Sequence, residues 1–355
     1  MLAWRYNHSF RNEAEFQESF ENNQHVAEVE ITDNDYTRLP ENIFQPLYRL
    51  EELRLCHNRL TNLPSFNGLR GLTTLDLQGN NLQTLEPNIF QDLAMLRELW
   101  LSGNPFTSLP DGLFNGLCSL EDLHINETQL LSVPPRLFAG LRNLQMLYMC
   151  DNPLNALPQG LFDDLVNLRH LNLDHNRLTT LPANLFVNCS SLSYIYICDN
   201  MLESLPVDAF NGLDYLADLY LKGNRLTHLD PELLRPCYGL VHISLSMNPL
   251  VELPRNLFQP CRILNSISLM SCGLTSVPSG LFRGLTDLDS INLCENQLRS
   301  IPRDLFDGLR YLTELRLHDN PLPVEQRHDG DRNLGTHGPV EEPRAYLARL
   351  FRASS

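Results

Sequence analysis

Lysine is almost missing from this 355-residue chain: Lys222 is the single one, and arginine supplies the rest of the 27 basic residues. Basic residues are outnumbered by 43 acidic ones, which leaves a net charge of −16. Nucleic acid and anionic membrane surfaces both need a basic face, so this balance argues against both and favours basic or neutral partners. No apolar run approaches the ~18 residues of a membrane helix. The start, MLAWRYNHSFRNEAEF, lacks the basic segment and apolar core of a signal peptide. As written, the chain is expected to be neither membrane-inserted nor secreted, hence cytoplasmic if complete and extracellular if it is a fragment of something longer. Catalytic grammar is absent too. There is no G-x-x-x-x-G-K-[ST], G-x-G-x-x-G, G-x-S-x-G, H-E-x-x-H or C-x-x-C. The reading is therefore of a chain that is not an enzyme and carries no cofactor and no metal. Three glycosylation sequons, at Asn7, Asn126 and Asn188, match the number chance provides and decide nothing.

What the chain has is leucine. There are 72, about one residue in five, within a composition of 43% hydrophobic and 20% charged residues that can bury a core. From Val26 the sequence repeats L-x-x-L-x-L-x-x-N-x-L-x-x-L-P-x-x-L-F-x-x-L-x-x every 24 residues, most cleanly from Leu96 and from Leu168. Thirteen copies open at Val26, Leu50, Leu72, Leu96, Leu120, Leu144, Leu168, Leu192, Leu216, Leu240, Leu264, Leu288 and Leu312, and only the second, at 22 residues, breaks the period. This pattern resembles the leucine-rich repeat family in its 24-residue form, over about 300 residues. Within a copy, motif positions 4 and 6 are apolar between polar neighbours, the period-2 pattern of a short strand buried on one face. Such a unit cannot bury its leucines alone, so copies stack. The fold class expected is an α/β repeat solenoid: a curved leucine-rich repeat horseshoe with a concave parallel β-sheet of about 13 strands and mostly irregular convex returns.

The asparagine at position 9 closes each strand, and in this family its amide satisfies turn groups that would otherwise be buried unpaired. Thr128 and Cys272 stand there in two copies and predict locally weaker turns. The recurring phenylalanine of L-P-x-x-L-F predicts a stacked column of rings behind the leucines. Both ends of the stack need a cover. Residues 1–25, with Phe10, Phe16 and Phe20, are read as a short N-terminal capping helix, residues 26–325 as the solenoid, and residues 326–355 as a loop followed by a capping helix around Tyr346, Leu347 and Leu350. That ending is similar to the terminal helix of some intracellular family members.

Nine cysteines spread through the repeats, rather than clustered at the ends, point to reduced thiols. Cys189, Cys237 and Cys261 replace core leucines; Cys56, Cys150, Cys198 and Cys294 share position 7, read as an exposed strand end. His170 and His175 lie at opposite ends of one strand and cannot chelate one ion together.

Positions 3, 5 and 7 of each strand point to the concave face. Position 5 is aromatic in its middle, so Trp100, Tyr148, Tyr194, Tyr196 and Tyr220, with His124 in the same column, are read as one binding stripe spanning about five strand steps, roughly 24 Å. Glu98, Asp122 and Asp218 form its acidic border, continued by Glu28, Glu52, Glu127, Asp151, Asp174 and Asp199. The function expected is a non-enzymatic recognition scaffold, monomeric, binding a protein or peptide with basic side chains around an apolar anchor, and neither nucleic acid nor membrane. Two alternatives stand beside it. One is the ligand-binding ectodomain fragment of a larger extracellular receptor or matrix protein, because the L-P-x-x-L-F return looks like that of Toll-like receptors and Slit-type proteins. The other is a regulatory subunit of an intracellular enzyme such as a phosphatase.

Overall fold

The structure, a computed structural model, describes residues 3–5, 18, 20 and 23–323. The chain divides into two compact units, residues 1–177 with 188–191, and residues 178–187 with 192–355. Among the described residues the first holds eight three-residue strands: β1 (Ala3–Arg5), β2 (Glu28–Glu30), β3 (Glu52–Arg54), β4 (Thr74–Asp76), β5 (Glu98–Trp100), β6 (Asp122–His124), β7 (Met146–Tyr148) and β8 (His170–Asn172). Among them too, the second holds six: β9 (Tyr194–Tyr196), β10 (Asp218–Tyr220), β11 (His242–Ser244), β12 (Ser266–Ser268), β13 (Ser290–Asn292) and β14 (Glu314–Arg316). Within each unit every strand pairs in parallel with the next, with register advancing by one repeat, as in Glu98↔Asp122 and Asp218↔His242. The short second copy shows as a smaller advance, Glu52↔Thr74. Each unit is thus a parallel-strand solenoid, built as the repeat pattern requires.

The strands are motif positions 3–5, and their central residue, such as Leu99, Leu123 or Leu219, is fully buried. The flanking residues are mostly half-covered; Met146, Tyr194 and Arg316 are exposed, and β4 departs the other way. In β4, Thr74 and Asp76 are buried as well. They are short side chains whose register neighbours are long: Glu52 and Arg54 on β3, Glu98 and Trp100 on β5.

The returns are chains of turns, without helix among the described residues. In the fourth copy the amides of Leu113, Asn115, Leu117 and Leu120 donate to the carbonyls of Pro110, Gly112, Phe114 and Leu117, each three residues back. Pro110 begins the series, where its fixed φ suits the turn and its missing N–H leaves nothing unpaired. The phenylalanines do stack. In the first unit Phe44, Phe66, Phe90, Phe114, Phe138 and Phe162 follow one another at 6.1–6.5 Å between ring centres, and in the second Phe258, Phe282 and Phe306 do so at 6.2 and 6.4 Å. Leu234 takes the phenylalanine's place in the ninth copy and is buried there instead.

Position 9 works as a ladder of asparagine amides. Asn80 Nδ2 donates to the carbonyls of Leu77, in its own copy, and Leu55, in the preceding one, both at 3.0 Å, while its Oδ1 accepts from the Leu60 amide at 3.0 Å. Asn104, Asn152, Asn176, Asn248 and Asn296 donate in the same way to their own and the preceding copy. One of the two donated bonds crosses a copy boundary each time, so the asparagines bind repeat to repeat.

Two readings need correction. Cys56 and Cys294 are buried, not exposed; Cys150 and Cys198 are half-buried. A small side chain at position 7 is covered by its neighbours: burial beside Asp76 pushes the Cys56 thiol up to about 12, and Cys294 Sγ lies 2.8 Å from Asn292 Oδ1. The N-terminal stretch also begins with a strand, β1, pairing with β2. Of the remaining cap, Glu18 and Phe20 are helical, and Phe20 is fully buried 5.9 Å from Phe44. The loop and helix expected over 326–355 lie outside the described residues, as does most of 1–25.

Candidate protein-binding face

In the first unit, positions 3 and 5 of neighbouring strands share one face of the sheet, because alternate residues of a strand point the same way. At position 5, Trp100, His124 and Tyr148 follow one another across β5, β6 and β7. The Trp100 and His124 rings meet edge-on at 5.8 Å, and His124 stacks on Tyr148 at 4.4 Å and 12°. A fourth ring extends the series: His170, at position 3 of β8, lies 5.1 Å from Tyr148. Sequence spacing missed it, since it sits in a different column and reaches Tyr148 only through the lean of its side chain. Met146 joins here as well, 38% exposed, its sulfur accepting from the Tyr148 hydroxyl at 3.8 Å.

Beside the rings stand Glu98 and Asp122, register neighbours at position 3 of β5 and β6. Like charges directly opposed across strands destabilise a sheet. Burial first, then the charges of Asp122 and Glu52, raise the Glu98 carboxyl above its usual range. Asp122 lies 3.2 Å from His124 Nε2 and is only 16% exposed. Arg54, whose charge acts on Glu98 in the opposite sense, is already committed: its two terminal nitrogens hold Glu28 and Glu52, each at 2.6 Å, and Arg97, the neighbour of Glu98 in sequence, is paired with Glu121. Glu98 has no basic side chain at ion-pair distance among the described residues. Burial lowers the pKa of His170, opposed by Asp122, and raises that of the Tyr148 phenol, reinforced by Asp122 and Cys150.

In the second unit, Tyr196 and Tyr220 stack at 4.9 Å and 8° across β9 and β10. Tyr194 stands at position 3 of β9, 42% exposed. Asp218 accepts from the Tyr220 hydroxyl at 3.2 Å and lies 3.0 Å from His242 Nδ1, with 14% of its side chain exposed. Burial, then the Asp218 charge, pushes the Tyr220 phenol up to about 12. Beyond His242, positions 3 and 5 of β11 to β13 turn small and uncharged: Ser244, Ser266, Ser268, Ser290 and Asn292. Within the first unit the candidate residues thus include the ring series Trp100–His124–Tyr148–His170, and within the second the stacked pair Tyr196–Tyr220, each beside half-buried carboxylates. Among the described residues no three His, Cys, Asp or Glu side chains are placed to bind one metal ion, and no helix is long and apolar enough to cross a membrane.

A fold of stacked parallel strands, an asparagine ladder and a phenylalanine column defines a class of protein. The leucine rich repeat family model matches residues 48–106, 96–154, 143–201, 190–250 and 262–322, more than half of the chain, and the chain belongs to that family. Comparison with curated proteins found no match. Among solved structures, a leucine-rich repeat protein of Leptospira interrogans is similar at 28% identity, with a TM-score of 0.76, over 85% of this chain and 75% of its own. Toll of Drosophila, in its complex with Spatzle, is similar at 27% identity, with a TM-score of 0.80, over 93% of this chain but 44% of its own. TLR13, in complex with single-stranded RNA, shares the fold at 24% identity and a TM-score of 0.74, over 90% of this chain and 50% of its own. The chain thus spans less than half the length of Toll.

Proposed function

We propose that the chain is a non-enzymatic recognition scaffold whose sheet face binds a protein partner through basic side chains. One observation carries this reading: the register neighbours Glu98 and Asp122, of which Glu98 has no basic side chain at ion-pair distance among the described residues and Asp122 has His124, stand beside the Trp100–His124–Tyr148 rings. A partner's arginine or lysine there would relieve the carboxylate repulsion and lie against aromatic rings, which attract cations. Aromatic side chains that are apolar in body and polar at the tip suit an interface centre. Toll, in complex with Spatzle, supports a protein ligand for this fold. A net charge of −16 weighs against the class of ligand bound by TLR13.

A second reading has its own support. Because 93% of this chain aligns on 44% of Toll, the chain suits a portion of a larger receptor ectodomain. A full-length transcript decides between them.

The test of the binding face is quantitative capture with three baits: the native chain, Tyr148→Ala, and Val187→Ser, which changes an exposed residue of a return. Circular dichroism establishes that all three are folded. Partners held by the native chain and Val187→Ser but lost from Tyr148→Ala are expected. Partners lost only from Val187→Ser would overturn the reading.

A further inference from the structure

Away from the sheet face, the second unit carries an uncovered apolar row. Tyr215, Tyr238 and Ile263 close three successive copies, at the last or next-to-last motif position before β10, β11 and β12, and are 72%, 55% and 47% exposed. In the following copy the same two positions are Thr286 and Asp287, both exposed, so the row ends there. Contiguous exposed apolar side chains on a soluble domain mark a contact surface.

The charges flanking the row settle what fits it. Asp214 precedes Tyr215 and lies beside the Tyr238 phenol; Arg262 precedes Ile263; both are exposed. Arg262 makes no ion pair among the described residues. Read along the copies, the row is acidic and aromatic at one end, aromatic in the middle, basic and apolar at the other. Strands are about 4.8 Å apart, so the charged ends stand roughly 10 Å from each other. A two-fold axis through Tyr238, perpendicular to the row, reverses this order. It sets Asp214 against Arg262 of the partner subunit and Tyr215 against the partner's Ile263, and it stacks Tyr238 on its own counterpart. One operation satisfies both charges and covers all three apolar side chains, which is the self-complementarity an isologous contact demands.

We propose that this row is a two-fold interface with a second copy of the chain. Three apolar side chains a copy make a small core, so the dimer is weak and forms at tens of micromolar or above. The proposal is independent of the partner reading for the sheet face, and Tyr148→Ala leaves it untouched.

Sedimentation velocity of the full chain from about 1 to 200 µM tests it. The expected result is a concentration-dependent dimer that Tyr238→Ser abolishes with no change in the urea midpoint. Asp214→Arg alone and Arg262→Asp alone should each weaken it about tenfold or more, by opposing like charges. Combined, they should restore it, which loss of folding could not do. A monomer at every concentration, a dimer indifferent to Tyr238→Ser, or a double reversal that fails to restore association would overturn the proposal.

Discussion

Asn152 takes two hydrogen bonds from Thr128: its Oδ1 accepts from the Thr128 amide at 3.1 Å and from the Thr128 hydroxyl. A hydroxyl has a single proton, so none is left for the preceding copy, where an asparagine would donate to the Leu101 carbonyl. The preceding copy shows the effect. The Phe106 amide, with no Oδ1 to reach, folds onto the Asn104 carbonyl at 2.9 Å, and the Leu250 amide does the same with Asn248 at 2.8 Å just before Cys272. Pro105 and Pro249 are not the cause, because Leu154, which follows Pro153, still donates to Asn176 Oδ1 at 3.2 Å. Thr128→Asn is therefore expected to rejoin the ladder and stabilise the chain by about 1 kcal/mol. The measurement is the urea midpoint, which should rise at constant slope; a midpoint that stays or falls would show that the threonine turn is already optimal.

Left-handed backbone recurs at motif position 8 in all thirteen copies, and ten of these residues are not glycine. Met247 is the least suited of them. Its φ is 57°, its side chain is 47% exposed, and it lacks the short polar group that lets asparagine or aspartate tolerate this region. Met247→Gly should stabilise by about 0.5–1 kcal/mol, the relief of strain exceeding glycine's entropic cost. A thermal unfolding midpoint lowered by this change would count against strain at the position.

Legibility in the sequence followed chemistry that repeats. Leucine, asparagine and phenylalanine recur at fixed motif positions, so thirteen copies made the strands, the ladder and the ring column readable. Position 8 was silent because its occupants, from Asp33 to His57 to Met247, share a backbone angle and no side-chain chemistry. β1 was silent because Ala3–Arg5 carries no copy of the motif and pairs with β2 through its backbone. Position 7 looked exposed from strand alternation alone, yet burial of Cys56 and Cys294 depends on the bulk of neighbours such as Asp76 and Asn292. The ring columns were legible at Trp100, Tyr148, Tyr196 and Tyr220, whereas His170 enters by its rotamer, which spacing does not encode.

Asp76 yields a prediction about pH. It is 2% exposed, and burial raises its pKa above the ordinary aspartate value despite the Gln78 amide at 3.0 Å, the Cys56 thiol and the charges of His57 and Arg54. With the folded value above the unfolded one, the folded state holds more protons just above the unfolded pKa, so stability falls as pH rises through that window. By pH 7 the whole cost is in place. Asp76→Asn removes the charge and keeps an oxygen for the Gln78 amide. The variant should have the higher urea midpoint at pH 7, with the gap closing near pH 3. Parallel pH profiles for the two proteins would mean that the polar neighbours of Asp76 fully offset its burial.

The last prediction separates rings from charges at the proposed face. Tyr148 sits between two other rings, and Tyr196 is stacked on Tyr220. Removing either should weaken a captured partner by about 2 kcal/mol or more, mainly through faster dissociation, because aromatic anchors at an interface centre carry most of its energy. Border charges behave differently: they steer encounter, so their loss slows association and flattens its salt dependence. Asp122 and Asp218 were expected to be such border groups, but at 16% and 14% exposure, each against a histidine, they are set into the face. Asp122→Asn and Asp218→Asn should therefore raise the dissociation rate as well as slow association, whereas Glu98→Gln should act chiefly on association. Surface plasmon resonance at two salt concentrations resolves these rates. If all three carboxylate variants altered association alone, the half-buried aspartates would be acting at long range and the contact would lie elsewhere on the face.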